Sequence, residues 1–227
     1  MVLSRDQLKN DYVKKLAEAN CGSNQPKPLS HEELADSLNK TMAQTKTPNE
    51  VWVFGYGSLI WNPLFQFDQF ELATLYGYRR RFCLKTEISR GTPDCPGLIL
   101  GLEPGGSCRG LAYKMATQNL AEDLSLMWRR EMLTGAYSPR WVRLKTRDTN
   151  INALAFVMNR DYPFYARGLS DDQTAQVLAN ASGPLGSCEE YLTKTHAGLV
   201  SHNIVDAHMN TLIKKVRLIN QNKSEKQ

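Results

Sequence analysis

Between Val51 and Met115 the chain breaks into short runs rich in apolar and β-branched residues, at 51–55, 70–77, 80–88, 97–103 and 109–115. Turn residues separate several of them, notably Gly91 to Pro96 and Pro104 to Ser107. A helical pattern follows over 118–133, and then strands at 140–147 and 152–159 around Asp148-Thr149-Asn150. Clustered short strands with one helix inserted and others appended predict an α+β fold, the strands closing into a small mixed β-barrel flanked by helices.

The segment before this block has a different period. Leu8, Tyr12 and Leu16 recur at helical spacing within 4–19. Cys21 to Pro28 reads as a linker, broken by Gly22, Pro26 and Pro28. Ser30 followed by Glu33 is a capping-box pattern, and Leu34, Leu38 and Met42 give the stripe of the helix it opens. Two more capping boxes, Ser170 with Gln173 and Ser187 with Glu190, flank the turn "ASGPLGS" at 181–187, and a last helix is expected over 203–219. The organisation predicted is a helical N-terminal extension at 1–47, one domain at 48–220 and a polar, fraying tail at 221–227. A chain of 227 residues with 41% hydrophobic content can support one core with appendages.

Several function classes are argued against. The formal charge of +5 is scattered, apart from Arg79-Arg80-Arg81 and a basic C-terminal end, and no aromatic-interleaved basic stripe is present. No nucleic-acid partner is expected; the surplus suits a small anionic substrate. The five cysteines (Cys21, Cys83, Cys95, Cys108 and Cys188) form no C-x-x-C pair and are odd in number. That argues against a disulfide framework or zinc cage and for reduced thiols in a cytosol. Cys83 and Cys95 lack a histidine nearby in sequence and read as inert. Three of the four histidines, His196, His202 and His208, recur at spacing six, which shares no helical face. With His31 they read as surface residues, and no metal is expected. The first fifteen residues lack a signal-peptide h-region, and no apolar run nears the ~18 residues of a membrane span. The expectation is a cytoplasmic protein without membrane insertion.

Two features carry chemistry. The strand at Val51 runs into Gly55-Tyr56-Gly57-Ser58. This is neither G-x-G-x-x-G nor a P-loop, and it is not G-x-S-x-G. Taken alone it reads as a tight turn or as a backbone whose N–H groups accept a carboxylate or oxyanion. The second feature is the helix "TQNLAEDLSLMWRREML", with Leu120, Leu124 and Met127 on its apolar stripe. Eleven residues beyond Leu120, Glu131 returns to within about 20° of it at ~100° per residue. A carboxylate on a buried stripe is desolvated, so its pKa should rise toward the range a general base needs. Near the helix end it could also reach solvent, or pair with Arg130 or Arg140. Arg79-Arg80-Arg81 enters an alternating strand, so neighbouring arginines should face opposite sides; one of them could aim at an anionic ligand, or the three could simply make a solvated strand start.

The ordered segments "VFGYGSLIW" (53–61), "GYRRRF" (77–82), "SRGTPDCPG" (89–97), "RGLAYKM" (109–115), "RREMLTGAY" (129–137) and "SGPLGSCEEYL" (182–192) resemble the ChaC-type, glutathione-specific gamma-glutamylcyclotransferases. The resemblance covers roughly residues 50–200, and the N-terminal extension is similar to the long bacterial form. It implies a lyase that converts glutathione to 5-oxoproline and cysteinylglycine without water or cofactor. It implies Glu131 as the catalytic residue, with a substrate loop of Val53, Phe54, Gly55, Tyr56, Gly57 and Ser58. Tyr137 matches the tyrosine that follows the glutamate, although "REMLTGAY" is two residues longer than the shorter "REKGGY" form. Tyr191 matches the tyrosine associated with the cysteinylglycine side. A second reading is a non-enzymatic regulator of cation transport, and a third is a cyclotransferase for other gamma-glutamyl compounds. No oligomeric state follows from the sequence.

Overall fold

The structure, a computed structural model, describes residues 3–19 and 26–225. Five strands close into a mixed barrel: β1 (Trp52–Gly55), β2 (Phe67–Thr86), β3 (Gly97–Met115), β4 (Tyr137–Lys145) and β5 (Asn150–Met158), in the order β1-β3-β2-β4-β5. All neighbours are antiparallel except β5 and β1, which run parallel where Val53 meets Leu154. The expected runs 70–77 and 80–88 are one strand, and so are 97–103 and 109–115. Turn residues mark bulges there rather than ends. Gly77 (φ +83°) stands alone opposite Gly105 and Gly106, both also left-handed, between the pairs Tyr76–Ser107 and Tyr78–Pro104. Glycine carries these φ values without steric cost, and the bulge bends the long hairpin so that it can wrap round the barrel. Further register shifts fall between Phe67 and Gln69 and between Phe82 and Leu84.

The barrel is filled by side chains such as Phe54, Leu111, Leu144, Leu154 and Phe156, all at most 1% exposed. Each such burial contributes about 1.5–3 kcal/mol. Helix α4 (Leu120–Glu131) packs on this core through Leu124, Met127 and Trp128. Leu120 joins them half-buried, so the predicted stripe is the buried one. The Trp128 ring meets Phe156 edge-on at 5.3 Å, while its Nε1 donates to Ser37 of α3 (His31–Met42). Ser30 caps α3 in a full capping box with Glu33.

The N-terminal helix expected over 4–19 is broken in two, α1 (Arg5–Lys9) and α2 (Tyr12–Ala19). Asp11 between them is left-handed at φ +54°, a conformation Asp tolerates better than most residues. Its carboxylate lies 3.1 Å from His31 Nε2 and 3.4 Å from Arg129 Nη1. Of the expected linker, residues 21–25 lie outside the described residues, as do 226–227 of the tail. After the barrel come α5 (Asp171–Asn180) and α6 (Cys188–Ser201). The two-residue strands β6 (Ser182–Gly183) and β7 (Gly186–Ser187) pair between them. Ser170 closes the expected capping box with Gln173, while Ser187 caps α6 by accepting the Glu190 N–H, the Glu190 carboxylate bonding Arg90 and Lys194. Helix α7 starts later than expected, behind the N-cap Asp206, and runs Ala207–Ser224 into the stretch read as tail.

Candidate active site

A cavity of about 180 Å³ opens at one side of the barrel. Its walls are the turn after β1 (Ser58, Trp61, Asn62), the end of β2 and the loop beyond it (Leu84 to Arg90), and the end of α4 (Arg130, Glu131). Tyr137 and Tyr191 also line it, as do Leu3 and Val13 of the N-terminal segment. Four of the residues expected at a site therefore meet: Ser58, Glu131, Tyr137 and Tyr191.

Glu131 is the last residue of α4, and its side chain is 13% exposed. Burial raises its pKa above the ordinary carboxylate value, and the neighbouring Arg130 charge opposes that shift. Arg130 Nε lies 3.1 Å from Glu131 Oε1, close enough for attraction but off the hydrogen-bonding direction. Glu131 Oε1 has no hydrogen-bond partner. Arg130 spends its directed donors elsewhere: Nη1 on the Asn62 carbonyl and Nη2 on Ser58 Oγ, both at 2.6 Å. The guanidinium thus fastens the turn after β1 to the helix end that carries Glu131. The carboxylate keeps an acceptor free in a site the helix itself makes electronegative at its C-terminus. Both readings of Glu131 from sequence hold at once: it is desolvated and it has Arg130 beside it.

The loop residues divide. Val53 and Phe54 are fully buried in β1, and neither they nor Gly55, Tyr56 and Gly57 line the cavity. Tyr56 points inward, its hydroxyl donating to the Phe156 carbonyl at 2.8 Å. What approaches the two glycines is tyrosine. A Cβ on Gly55 would lie 2.7 Å from Tyr113 Cε2, and one on Gly57 would lie 3.2 Å from Tyr191 Oη. Tyr113 in turn donates to the Leu59 carbonyl at 3.1 Å and so supports the 3₁₀ turn Ser58–Ile60.

Tyr191 comes from α6. Burial first, and then the Glu131 charge, push its phenol up to about 12, while the adjacent Arg130 and Ser58 act the other way. Trp61 and Phe82 meet its ring edge-on, and the Arg90 guanidinium lies 5.6 Å from its centroid. Tyr137 donates to the Leu100 carbonyl at 2.6 Å, and burial holds its phenol well above the ordinary value. Both phenols therefore stay protonated at neutral pH and act as donors or as shape.

The structure answers the question of the three arginines. Arg80 is buried at 5% exposure and pairs with Asp206, the N-cap of α7. It also donates to the carbonyls of Tyr56, at 2.5 Å, and Arg109, at 2.6 Å. It holds the turn from behind. Arg79 pairs with Glu103, and Arg81 contacts His208 and Asp171. None of the three lines the cavity. Nor does Cys83, whose buried thiol is pushed far up, or Cys95, which is exposed. His208 is half-buried rather than a free surface residue, and burial lowers its pKa. No cluster of three or more His, Cys, Asp or Glu suited to a metal occurs among the described residues. Their helices include none long and apolar enough to cross a membrane.

Sequence reasoning underrated Arg130, seen only as a charge partner, and assigned nothing to Arg90. Arg90 lines the cavity and pairs at 2.6 Å with Glu190, one hundred positions away, which also binds Lys194 at 2.6 Å. These bonds hold the Glu190 carboxyl down at about 2. A single sequence carries no signal for a partner so distant.

Residues 51–219 match the ChaC-like protein family. The chain is 39% identical over 189 residues to the glutathione-specific gamma-glutamylcyclotransferase of Escherichia coli K12, covering 83% of this chain and 82% of that protein. It is 32% identical over 151 residues to glutathione-specific gamma-glutamylcyclotransferase 1 of Danio rerio, covering 64% of this chain and 77% of the relative. The crystal structure of a gamma-glutamyl cyclotransferase specific to glutathione from yeast superposes with a TM-score of 0.68. That match spans 74% of this chain and 96% of the other, at 22% identity, and it establishes the shared barrel fold.

Proposed function

The chain belongs to the ChaC-like protein family, and from that premise we propose that it is a glutathione-specific gamma-glutamylcyclotransferase, with Glu131 as the general acid and base. The observation that carries the mechanism is the buried Glu131 carboxylate, lining the cavity with no hydrogen bond on Oε1 and with a raised pKa.

The α-ammonium of the gamma-glutamyl group cannot attack a carbonyl until it loses a proton. Glu131, ionised, accepts that proton. The freed amine adds to the γ-carbonyl of its own residue, a C–N bond forms, and a five-membered ring closes. The tetrahedral intermediate collapses by breaking the γ-carbonyl bond to the cysteinyl nitrogen. In all, two protons leave the attacking nitrogen and two reach the departing one, with Glu131 as the shuttle. The products are 5-oxoproline and cysteinylglycine, and no water is consumed. Nucleophile and electrophile belong to one residue, so the enzyme's main work is to select the curled conformer. Arg130 and Ser58, bonded to each other and both lining the cavity, are the candidates for binding the substrate's α-carboxylate or the oxyanion. The Tyr191 and Tyr137 phenols are further candidates for substrate contact.

Purified protein incubated with glutathione should release cysteinylglycine and 5-oxoproline in equal amounts. Glu131→Gln should lower kcat by ~10²–10⁴-fold, the usual share of general acid–base catalysis, with glutathione binding retained. Full turnover by Glu131→Gln would sink the mechanism. Absence of turnover by the unaltered protein would sink the function.

A further inference from the structure

Residues 3–19 precede the family match at 51–219, yet they form part of the cavity. Leu3 and Val13 both line it. The segment is fastened there by several independent contacts. Arg5 pairs with Asp123 of α4, which is 1% exposed, and donates to the Leu64 carbonyl at 2.8 Å. Leu8 is buried at 2% exposure, and Lys9 pairs with Glu122 of α4 at 2.7 Å. The Leu3 carbonyl accepts from Asn62 Nδ2 at 2.9 Å, and the Asn62 carbonyl accepts from Arg130 Nη1 at 2.6 Å. Only Asn62 stands between Leu3 and the guanidinium beside Glu131.

Resting on the cyclotransferase reading, we propose that residues 3–19 are a specificity-determining wall of the substrate site, with Leu3 and Val13 packing on the cysteinyl side chain of glutathione. The argument is chemical. Glutathione carries an ammonium and a carboxylate on its gamma-glutamyl end and a second carboxylate on its glycine. Its mercaptomethyl group, the cysteinyl CH2SH, alone among the side groups is uncharged. Leu3, Val13 and the adjacent Leu133 offer no hydrogen bond to a charged group and repel one by desolvation. They match the mercaptomethyl group, and they leave the charged head to Ser58, Arg130 and Glu131, which line the same cavity.

Deleting the segment would strip Asp123 of its arginine, so point variants of the full chain give the cleaner test. The double variant Leu3→Ala/Val13→Ala keeps Arg5, Leu8 and the backbone bond to Asn62. It should raise KM for glutathione by about tenfold while kcat stays within about twofold, the scale of lost apolar contact in a pocket. It should also lose most of the preference for glutathione over gamma-glutamylglycylglycine, which lacks the cysteinyl side chain. An unchanged KM and preference, in protein of unaltered melting temperature, overturns the wall. So does an equal loss on both peptides, which marks a purely structural role. If the unaltered protein, assayed alongside, does not cleave glutathione, the proposed function falls first and the wall falls with it.

Discussion

The turn after β1 and the end of α4 face each other across the Arg130 guanidinium, and they are built on opposite rules. The turn is packed from behind: Tyr113 fills the space at Gly55, Arg80 holds the Tyr56 carbonyl, and only Ser58 of the motif lines the cavity. At the helix end Glu131 Oε1 has no hydrogen-bond partner, only the Arg130 charge 3.1 Å away. A buried polar atom left unpaired costs on the order of 1–3 kcal/mol. A fold tolerates that where the atom has a task. The motif is therefore mostly scaffold, and Glu131 is the residue to which the proposed mechanism gives the proton transfer.

The largest test of this contrast is Glu131→Gln. Beyond its effect on turnover, it should raise the melting temperature at pH 7. Glu131 has a folded pKa raised above 4.5, so its charged form opposes folding as pH climbs through the raised value. The gain should shrink as pH falls toward 4.5, where the wild-type carboxyl is protonated in both states. A melting temperature lower than wild type at neutral pH would refute the buried-charge account.

Next in size is Arg130→Met, which cuts the link between the two regions. Losing a charge-assisted hydrogen bond of about 1.5–3 kcal/mol should lower kcat/KM by about ten- to a hundredfold. Arg130 holds the Glu131 pKa down, so its removal should move the acid limb of the kcat/KM profile to higher pH. A merely structural role would leave that limb in place.

Gly55→Ala and Gly57→Ala separate scaffold from site within the turn itself. The first drives a methyl into the Tyr113 ring, and overpacking of this kind costs about 1–3 kcal/mol of stability. The second meets the Tyr191 hydroxyl at 3.2 Å, so activity should fall by about severalfold with a smaller loss of stability than the first. Denaturant melts and kinetics on the pair read both effects, and the reverse pattern would invert the comparison.

The smallest effect belongs to Glu190→Gln, behind the Arg90 wall. The folded pKa of about 2 lies below the reference value of 4.5, so the stabilisation is complete above 4.5 and is lost as pH falls toward 2. For a partly exposed pair, about 1 kcal/mol is expected at pH 7. A wild-type–variant difference in melting temperature that failed to shrink across that window would rule out the ion pair as its source.

Local pattern made much of the molecule legible. The apolar period exposed the α4 stripe and placed Glu131 on it, because a buried helix face repeats wherever it occurs. Ser30, Ser170 and Ser187 marked their helix starts, since a cap needs only its own first turn. Boundaries failed where one residue type has two uses. Gly77, Gly105 and Gly106 serve bulges within continuous strands, and Asp11 splits a helix that its neighbours would have continued.

The sequence by itself determined the α+β class, the helix that carries Glu131 and the family membership, all encoded in short-range period and ordered motifs. Only the tertiary structure decided which motif residues reach the cavity. It also decided that Arg130 ties turn to helix, that Glu190 anchors Arg90, and that Leu3 and Val13 form a wall. Those pairings span tens to a hundred residues. Their partners are chosen by barrel closure and helix packing, which no local pattern in a single chain records.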